Sequence, residues 1–332
     1  MADKALLYCA GGGIGDSLLA TVVARALRSK YGSVDALTLP GHAETLARVP
    51  DIDGILVDEG SESALAQVVR DRNYAAAIVT WATPRTARVP QLAQIPIRVG
   101  QARRLYSFRF THRVNVRSEL GDVTSHWTQI LLDYARAIGC DTPNTIPTFI
   151  PEPADEVQAN ALLERLGVHA FIILHATNAV ATQRGVWPDA GWVRLARALQ
   201  EEFGCSVLLS GNDADRAITA QIAQQSGAID IAGQLGIGGF GALAQRSIMY
   251  VGITTGTMHV AAAAGAPAVG IFPFQTDVPE RWAPRGPRTA IVRASYPCRP
   301  GERKETCPDY ACIEALDVGG IIAAARSLRG AA

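Results

Sequence analysis

The stretch Tyr8–Leu27, YCAGGGIGDSLLATVVARAL, decides how the rest of the chain is read. An apolar run ends in a glycine cluster, Gly11, Gly12, Gly13 and Gly15, and a helical apolar pattern follows from Ser17 to Ser29. A strand that feeds a glycine turn and then a helix is the first corner of a Rossmann-like unit, and glycine there lets the backbone approach a ligand. A dinucleotide fingerprint needs G-x-G-x-x-G at such a corner. Gly11 and Gly13 meet its first two positions, but Asp16 takes the third. The fingerprint also needs an acid closing the second strand. That strand, VDALTLPGH, closes on Leu39, Pro40 and Gly41. A carboxylate at the start of the helix would also repel a pyrophosphate. Asp16 is therefore either a capping residue or a general base presented from the carboxyl edge of a sheet.

The chain has 332 residues, more than one ordinary core uses, so two domains are expected. Hydrophobic residues make up 48% and charged residues 19%, a globular composition. Lys plus Arg and Asp plus Glu are 31 each, so no global charge draws the chain to nucleic acid or to an anionic membrane. No apolar run approaches the ~20 residues that span a bilayer. The opening MADKALLYCAGGG reads as a first strand, not a signal peptide, so the expected location is cytoplasmic, with the six cysteines reduced.

Short β-like runs alternate with helical patterns throughout. The first half has strands near Ala5–Cys9, Val34–Leu39, Gly54–Val57 and Ala76–Trp81, with helices at Ser17–Ser29, Ser63–Arg70 and Thr128–Ile138. The second half has strands near Phe171–His175, Ser206–Ser210, Ile229–Ile231, Met249–Gly252 and Ala268–Phe272. Its helices follow at Trp192–Glu202, Ala214–Gln225 and His259–Ala264. Such alternation implies parallel sheets covered on both faces. The expected architecture is α/β: two doubly wound, Rossmann-like domains, residues 1–152 and 153–332, joined through Thr142–Pro153 and facing a central cleft.

A second corner lies in MYVGITTGTMHVAAAAGAPAVGIF, Met249–Phe272. A strand meets the polar turn ITTGTM, which opens a small-residue helix. Free amides at the helix start and the hydroxyls of Thr255 and Thr257 would form an anion site suited to a diphosphate. The alternative is that the glycines and alanines only permit close helix–sheet packing. A third corner, QRGVWPDAGW at Gln183–Trp192, follows FIILHATN; its Arg184 is either a surface arginine, the commoner case, or one that reaches a phosphate, and Pro188 suits a helix start.

The ordered set GGGIGD, Trp187-Pro188, DIAGQLGIGGFGALAQRSIMYVG and TGTMHVAAAAGAP resembles the ADP-heptose:lipopolysaccharide heptosyltransferase family, glycosyltransferase family 9. The likeness runs from Leu6 to about Val318 and takes in IPIRVG at Ile95–Gly100. It implies a GT-B fold with the donor in the second domain and the acceptor in the first. It also implies inversion at the anomeric carbon without cofactor or metal. Carried over by position, Asp16 is the base, Gly11, Gly12, Gly13 and Gly15 form its loop, and Arg184, Thr254, Thr255, Gly256, Thr257, Met258 and His259 hold the nucleotide-diphosphate sugar. The chain departs from the family at Thr254, where an aspartate contacting the sugar is usual. It also departs at Arg184-Gly185-Val186-Trp187-Pro188, where a basic residue usually directly precedes the WP turn. A different sugar or nucleotide is compatible with both changes.

The stretch RVGQARRLYSFRFTHRVNVR, Arg98–Arg117, carries six arginines and no acid. It reads either as a solvated loop or, through Arg98, Arg103 and Arg104, as a site for an anionic glycolipid or glycan acceptor, with peripheral association at the inner membrane. Among Cys298, Cys307 and Cys312 only Cys307-x₄-Cys312 comes close to the paired spacing of a metal site, so the three read either as reduced thiols or as part of a metal site that lacks a fourth ligand. Two other classes stay open: an NAD-linked oxidoreductase, and a nucleotide-sugar-binding protein without catalysis.

Overall fold

The computed structural model describes residues 3–176, 187, 189–274, 277–296, 298, 307 and 310–329. The chain divides into two compact units, Met1–Phe149 and Ile150–Ala332.

The first unit holds six strands: β1 Lys4–Tyr8, β2 Ser33–Thr38, β3 Gly54–Val57, β4 Ala76–Val79, β5 Ile97–Gln101 and β6 His112–Val114. They form one parallel sheet in the order β3-β2-β1-β4-β5-β6. A parallel sheet needs helices on both faces, so its central strands are apolar on both sides. Ala5, Leu6, Leu7 and Tyr8 of β1 and Ala76, Ala77, Ile78 and Val79 of β4 are accordingly fully buried. The helix Ile14–Leu27 is apolar on nearly all sides because it packs on the sheet and on the helix Trp127–Arg136. Truncating a core leucine such as Leu6 to alanine would cost about 2–5 kcal/mol.

The second unit repeats the plan with β7 Phe171–His175, β8 Ser206–Leu209, β9 Ile229–Asp230, β10 Met249–Ile253, β11 Ala268–Phe272 and β12 Thr289–Arg293. The sheet is again parallel, in the order β12-β11-β10-β7-β8-β9. Counted from each unit's own first strand, both sheets have the 3-2-1-4-5-6 order of a doubly wound Rossmann-like fold. The point where chain direction reverses lies between β1 and β4 in one sheet and between β7 and β10 in the other. Ligands of such sheets bind outside the carboxyl ends of the strands at that point.

Two differences from the sequence expectations stand out, and the expected linker is seen. The first helix begins at Ile14, one turn earlier than the apolar pattern suggests, because Gly13 serves as its N-cap. The arginine-rich stretch is built into the sheet edge as β5, β6 and two 3₁₀ turns, Leu105–Arg109 and Arg117–Leu120. From 140 to 152 the chain has no helix or strand, and a new helix starts at Pro153, with Asp155 accepting from the amide of Glu152 at 2.8 Å.

Candidate active site

The glycine corner follows β1 at the reversal point of the first sheet. Gly12 sits at φ +67°, the left-handed region that favours glycine. Asp16 is the third residue of the helix, and its Oδ2 accepts the amide of Gly13 at 2.9 Å. A Cβ on Gly12 would run into that carboxylate. Burial raises the Asp16 pKa above the usual carboxylate range; the Gly13 amide and the nearby His42 ring oppose the shift. His42 is itself lowered by burial, with Asp16 opposing. Its Nδ1 lies 2.8 Å from Ser17 Oγ, and Ser17 Oγ also donates to the Cys9 carbonyl at 3.1 Å. The capping reading of Asp16 thus describes real geometry, and the same geometry holds a carboxyl group of raised basicity in a fixed orientation at the ligand edge. Gly15 is buried in the helix start.

Sequence reading did not single out two neighbours of this corner. Trp81 follows β4, and its indole lies against Gly11 so closely that a Cβ there would collide with the ring. It remains 41% exposed. Asp58 follows β3, accepts Tyr8 Oη at 2.6 Å and Arg85 Nε at 2.8 Å, and is nearly buried. Asp58 holds the Arg85 guanidinium pKa up, and burial together with Asp58 pushes the Tyr8 phenol up. The signal that could have found both residues was their position, one or two residues past a strand's carboxyl end.

In the second unit, Thr255 is the N-cap of the helix Gly256–Ala263, in extended conformation at φ −128° and ψ 172°. Its side chain makes no capping bond; Thr255 Oγ1 instead lies 2.9 Å from Thr257 Oγ1, which lies 3.2 Å from the hydroxyl of Tyr250. The amides at this helix start are therefore not consumed by the cap. Thr254 donates its amide to Ile271 across the sheet at 3.1 Å. Met258 is wholly buried, its sulfur under Gly270, where a Cβ would come within 2.8 Å. It contributes backbone to the turn and its side chain to the core. His259 is buried in the first helical turn. His175 ends β7 and is paired in register with Gly252 of β10. Its Nδ1 lies 3.0 Å from Ser210 Oγ, its ring stacks on Tyr250, and burial lowers its pKa to about 4, so the ring is neutral at pH 7. Arg184 and Pro188 lie outside the described residues.

The three candidate acceptor arginines differ in surroundings. Arg98 is half-buried, its Nε donating to the Arg109 carbonyl at 2.9 Å and its Nη1 to that of Ile95. Arg104 pairs with Glu119. Arg103 is exposed, at φ +63°. Among the described residues no group of three or more His, Cys, Asp or Glu is placed to hold a metal ion, and no helix is long and apolar enough to cross a membrane. Cys312 is in the core of the second unit, and Cys307 Sγ accepts the Tyr310 amide at 3.3 Å. A cavity of about 370 Å³ bordered by Asn160, His169, Phe171 and Arg246 lies at the amino end of β7, the opposite edge from Thr255.

Each unit carries a polar corner at the reversal point of its own doubly wound sheet. A family model, glycosyltransferase family 9 (heptosyltransferase), matches residues 63–311. The chain belongs to glycosyltransferase family 9. The matched span contains Trp81, Arg184 and the turn Thr254–His259, and begins after Asp16. Family membership makes the chain a glycosyltransferase.

Solved structures of family 9 proteins share its fold. The family 9 glycosyl transferase of Veillonella parvula aligns with a TM-score of 0.86 at 18% identity, covering 99% of this chain and 98% of the other. ADP-heptose lipopolysaccharide heptosyltransferase II of E. coli aligns at 0.76 and 18% identity, covering 98% and 99%. The E. coli heptosyltransferase WaaC, solved with ADP, aligns at 0.68 and 17% identity, covering 88% and 93%. The two sheets of this chain are those of a GT-B enzyme.

Proposed function

We propose that the protein transfers a heptose from ADP-heptose, with inversion, to a hydroxyl of an anionic glycolipid or surface glycan. The first unit takes the acceptor and the second the donor. The observation that carries this reading is the Thr255–Thr257 helix start, with its unconsumed amides and two hydroxyls at the β7/β10 reversal point. Related structures that hold ADP or an ADP-heptose analogue support the choice of nucleotide.

The chemistry follows from the groups present. Asp16 Oδ2 is held by Gly13, which leaves Oδ1 to take the proton of the attacking hydroxyl. As the new carbon–oxygen bond forms, the anomeric carbon–phosphate oxygen bond breaks and its electron pair leaves on the diphosphate. Amides of Gly256 and Thr257 and the hydroxyl of Thr255 would stabilise that charge. An oxidoreductase reading is disfavoured by the same corner, because Asp16 occupies the Gly13 amide that a dinucleotide pyrophosphate would use.

A panel of nucleotide sugars, read by thermal shift and then by product analysis, tests the assignment. ADP-heptose should stabilise the protein most, and the product should have the opposite anomeric configuration. Stabilisation by a different nucleotide sugar would replace the donor, and retained configuration would remove Asp16 as base.

A further inference from the structure

We propose that the tip made by Leu105 and Phe108 docks the protein onto the surface of an anionic lipid bilayer. The proposal rests on the reading that the acceptor is a glycolipid, and it adds the surface that would hold the enzyme against the leaflet carrying it.

Leu105 is 99% exposed and Phe108 61% exposed. Both belong to the 3₁₀ turn Leu105–Arg109. Residues three apart in a 3₁₀ turn eclipse one another, so the two side chains share one face. An apolar tip of this kind inserts beneath lipid headgroups.

The surroundings match an anionic headgroup layer. Arg103 precedes the tip, and the guanidinium of Arg109 lies 4.8 Å from the centre of the Phe108 ring. Arg103, Arg109 and Arg113 have no carboxylate partner among the described residues. Arginine stems of this type lie along apolar surface while their heads reach phosphate. Leu120, 58% exposed, follows Glu119, with which Arg104 pairs.

The tip is also tied to the ligand edge. It follows β5, and the hydroxyl of Tyr106 donates to the Ala82 carbonyl at 2.6 Å, beside Trp81. Tyr106 thus joins the exposed turn to the loop that packs on Gly11. Docking through Leu105 and Phe108 would bring the glycine corner of this same unit to headgroup level.

The full chain should co-sediment with phosphatidylcholine vesicles that contain phosphatidylglycerol. Binding should weaken with salt and on phosphatidylcholine alone. The double variant Leu105→Ser/Phe108→Ser should bind about tenfold more weakly or worse. Its unfolding temperature and its thermal shift with ADP should match the unaltered protein, since neither side chain packs in the core. Equal vesicle binding by the two proteins would overturn the proposal. So would a fall in oligomer mass on substitution without vesicle binding, which would make the tip a contact between copies. Either result leaves donor binding unaffected, so the transferase assignment is judged separately.

Discussion

The amide of Gly13 donates to Oδ2 of Asp16 at 2.9 Å, so one carboxylate both caps the first helix and faces the ligand edge. The two duties separate by substitution. Asp16→Asn keeps an acceptor for the amide but no base, and should lower kcat by about 10²–10⁴-fold with no loss of unfolding temperature. Asp16→Ala should lose the same activity and an additional ~0.5–2 kcal/mol of stability. Donor thermal shift should survive in both; normal turnover by the asparagine variant would remove Asp16 from the chemistry.

The raised Asp16 pKa fixes a pH dependence. Its folded value lies above its unfolded value, so the protonated form is favoured by folding. The associated stability is present below the ordinary carboxylate range and is lost as pH rises through the folded pKa. Urea titrations should therefore show Asp16→Asn gaining on the unaltered protein as pH rises through that window. The acid limb of kcat/KM should fall in the same place, above the usual carboxylate range, and an acid limb at or below that range would contradict it.

Gly12 at φ +67° faces the carboxylate it helps to position. Gly12→Ala combines left-handed strain of about 1–2 kcal/mol with a collision against Asp16. Turnover should fall more steeply than stability, measured by comparing kcat with the midpoint of urea unfolding. Gly11→Ala should instead displace the Trp81 indole and report as a change in tryptophan fluorescence.

Amides at the second corner can be deleted singly. Thr255 is extended and Gly256 is the first helical residue, where proline is tolerated. Gly256→Pro should fold but bind ADP about 10–100-fold more weakly than Gly256→Ala, the control for added bulk, through loss of one charge-assisted hydrogen bond. Equal affinities by calorimetry would show that this amide does not touch the diphosphate.

His175 gives the opposite sign to Asp16. Burial takes its pKa from 6.5 to about 4, so folding favours the neutral ring and stability falls as pH drops from 6.5 towards 4. The effect is on the order of 3 kcal/mol over that interval. His175→Gln, which can keep a bond to Ser210, should flatten this part of the stability curve.

Most of the sheets were legible because their inner strands are short apolar runs, as in ALLY before the glycines and FIILH in the second unit. Of the outer strands, β3 and β9 were legible, whereas β5, β6 and β12 were not. β5 and β6 carry Arg98 and Arg113, and β12 is a half-exposed edge strand that ends on Arg293, so each looks solvated until a neighbour pairs with it. Both corners were legible through turn chemistry, glycines and threonines at a strand end. Trp81, Asp58 and His42 were not, since each reaches the first corner only through pairing of strands distant in sequence. Met258 was legible by place but not by role, because nothing in the sequence marks Gly270 as the gap its sulfur fills.

The strand order also governs how the chain is made. Ala5 pairs with Ala76 and Ile172 with Met249, so each central strand takes its second partner about 70 residues later. At about 5–20 residues per second of synthesis, β1 leaves the ribosome with one edge open for several seconds. An apolar edge unpaired for that long is sticky, and chaperone supply during overexpression should govern yield more than the stability of the finished fold.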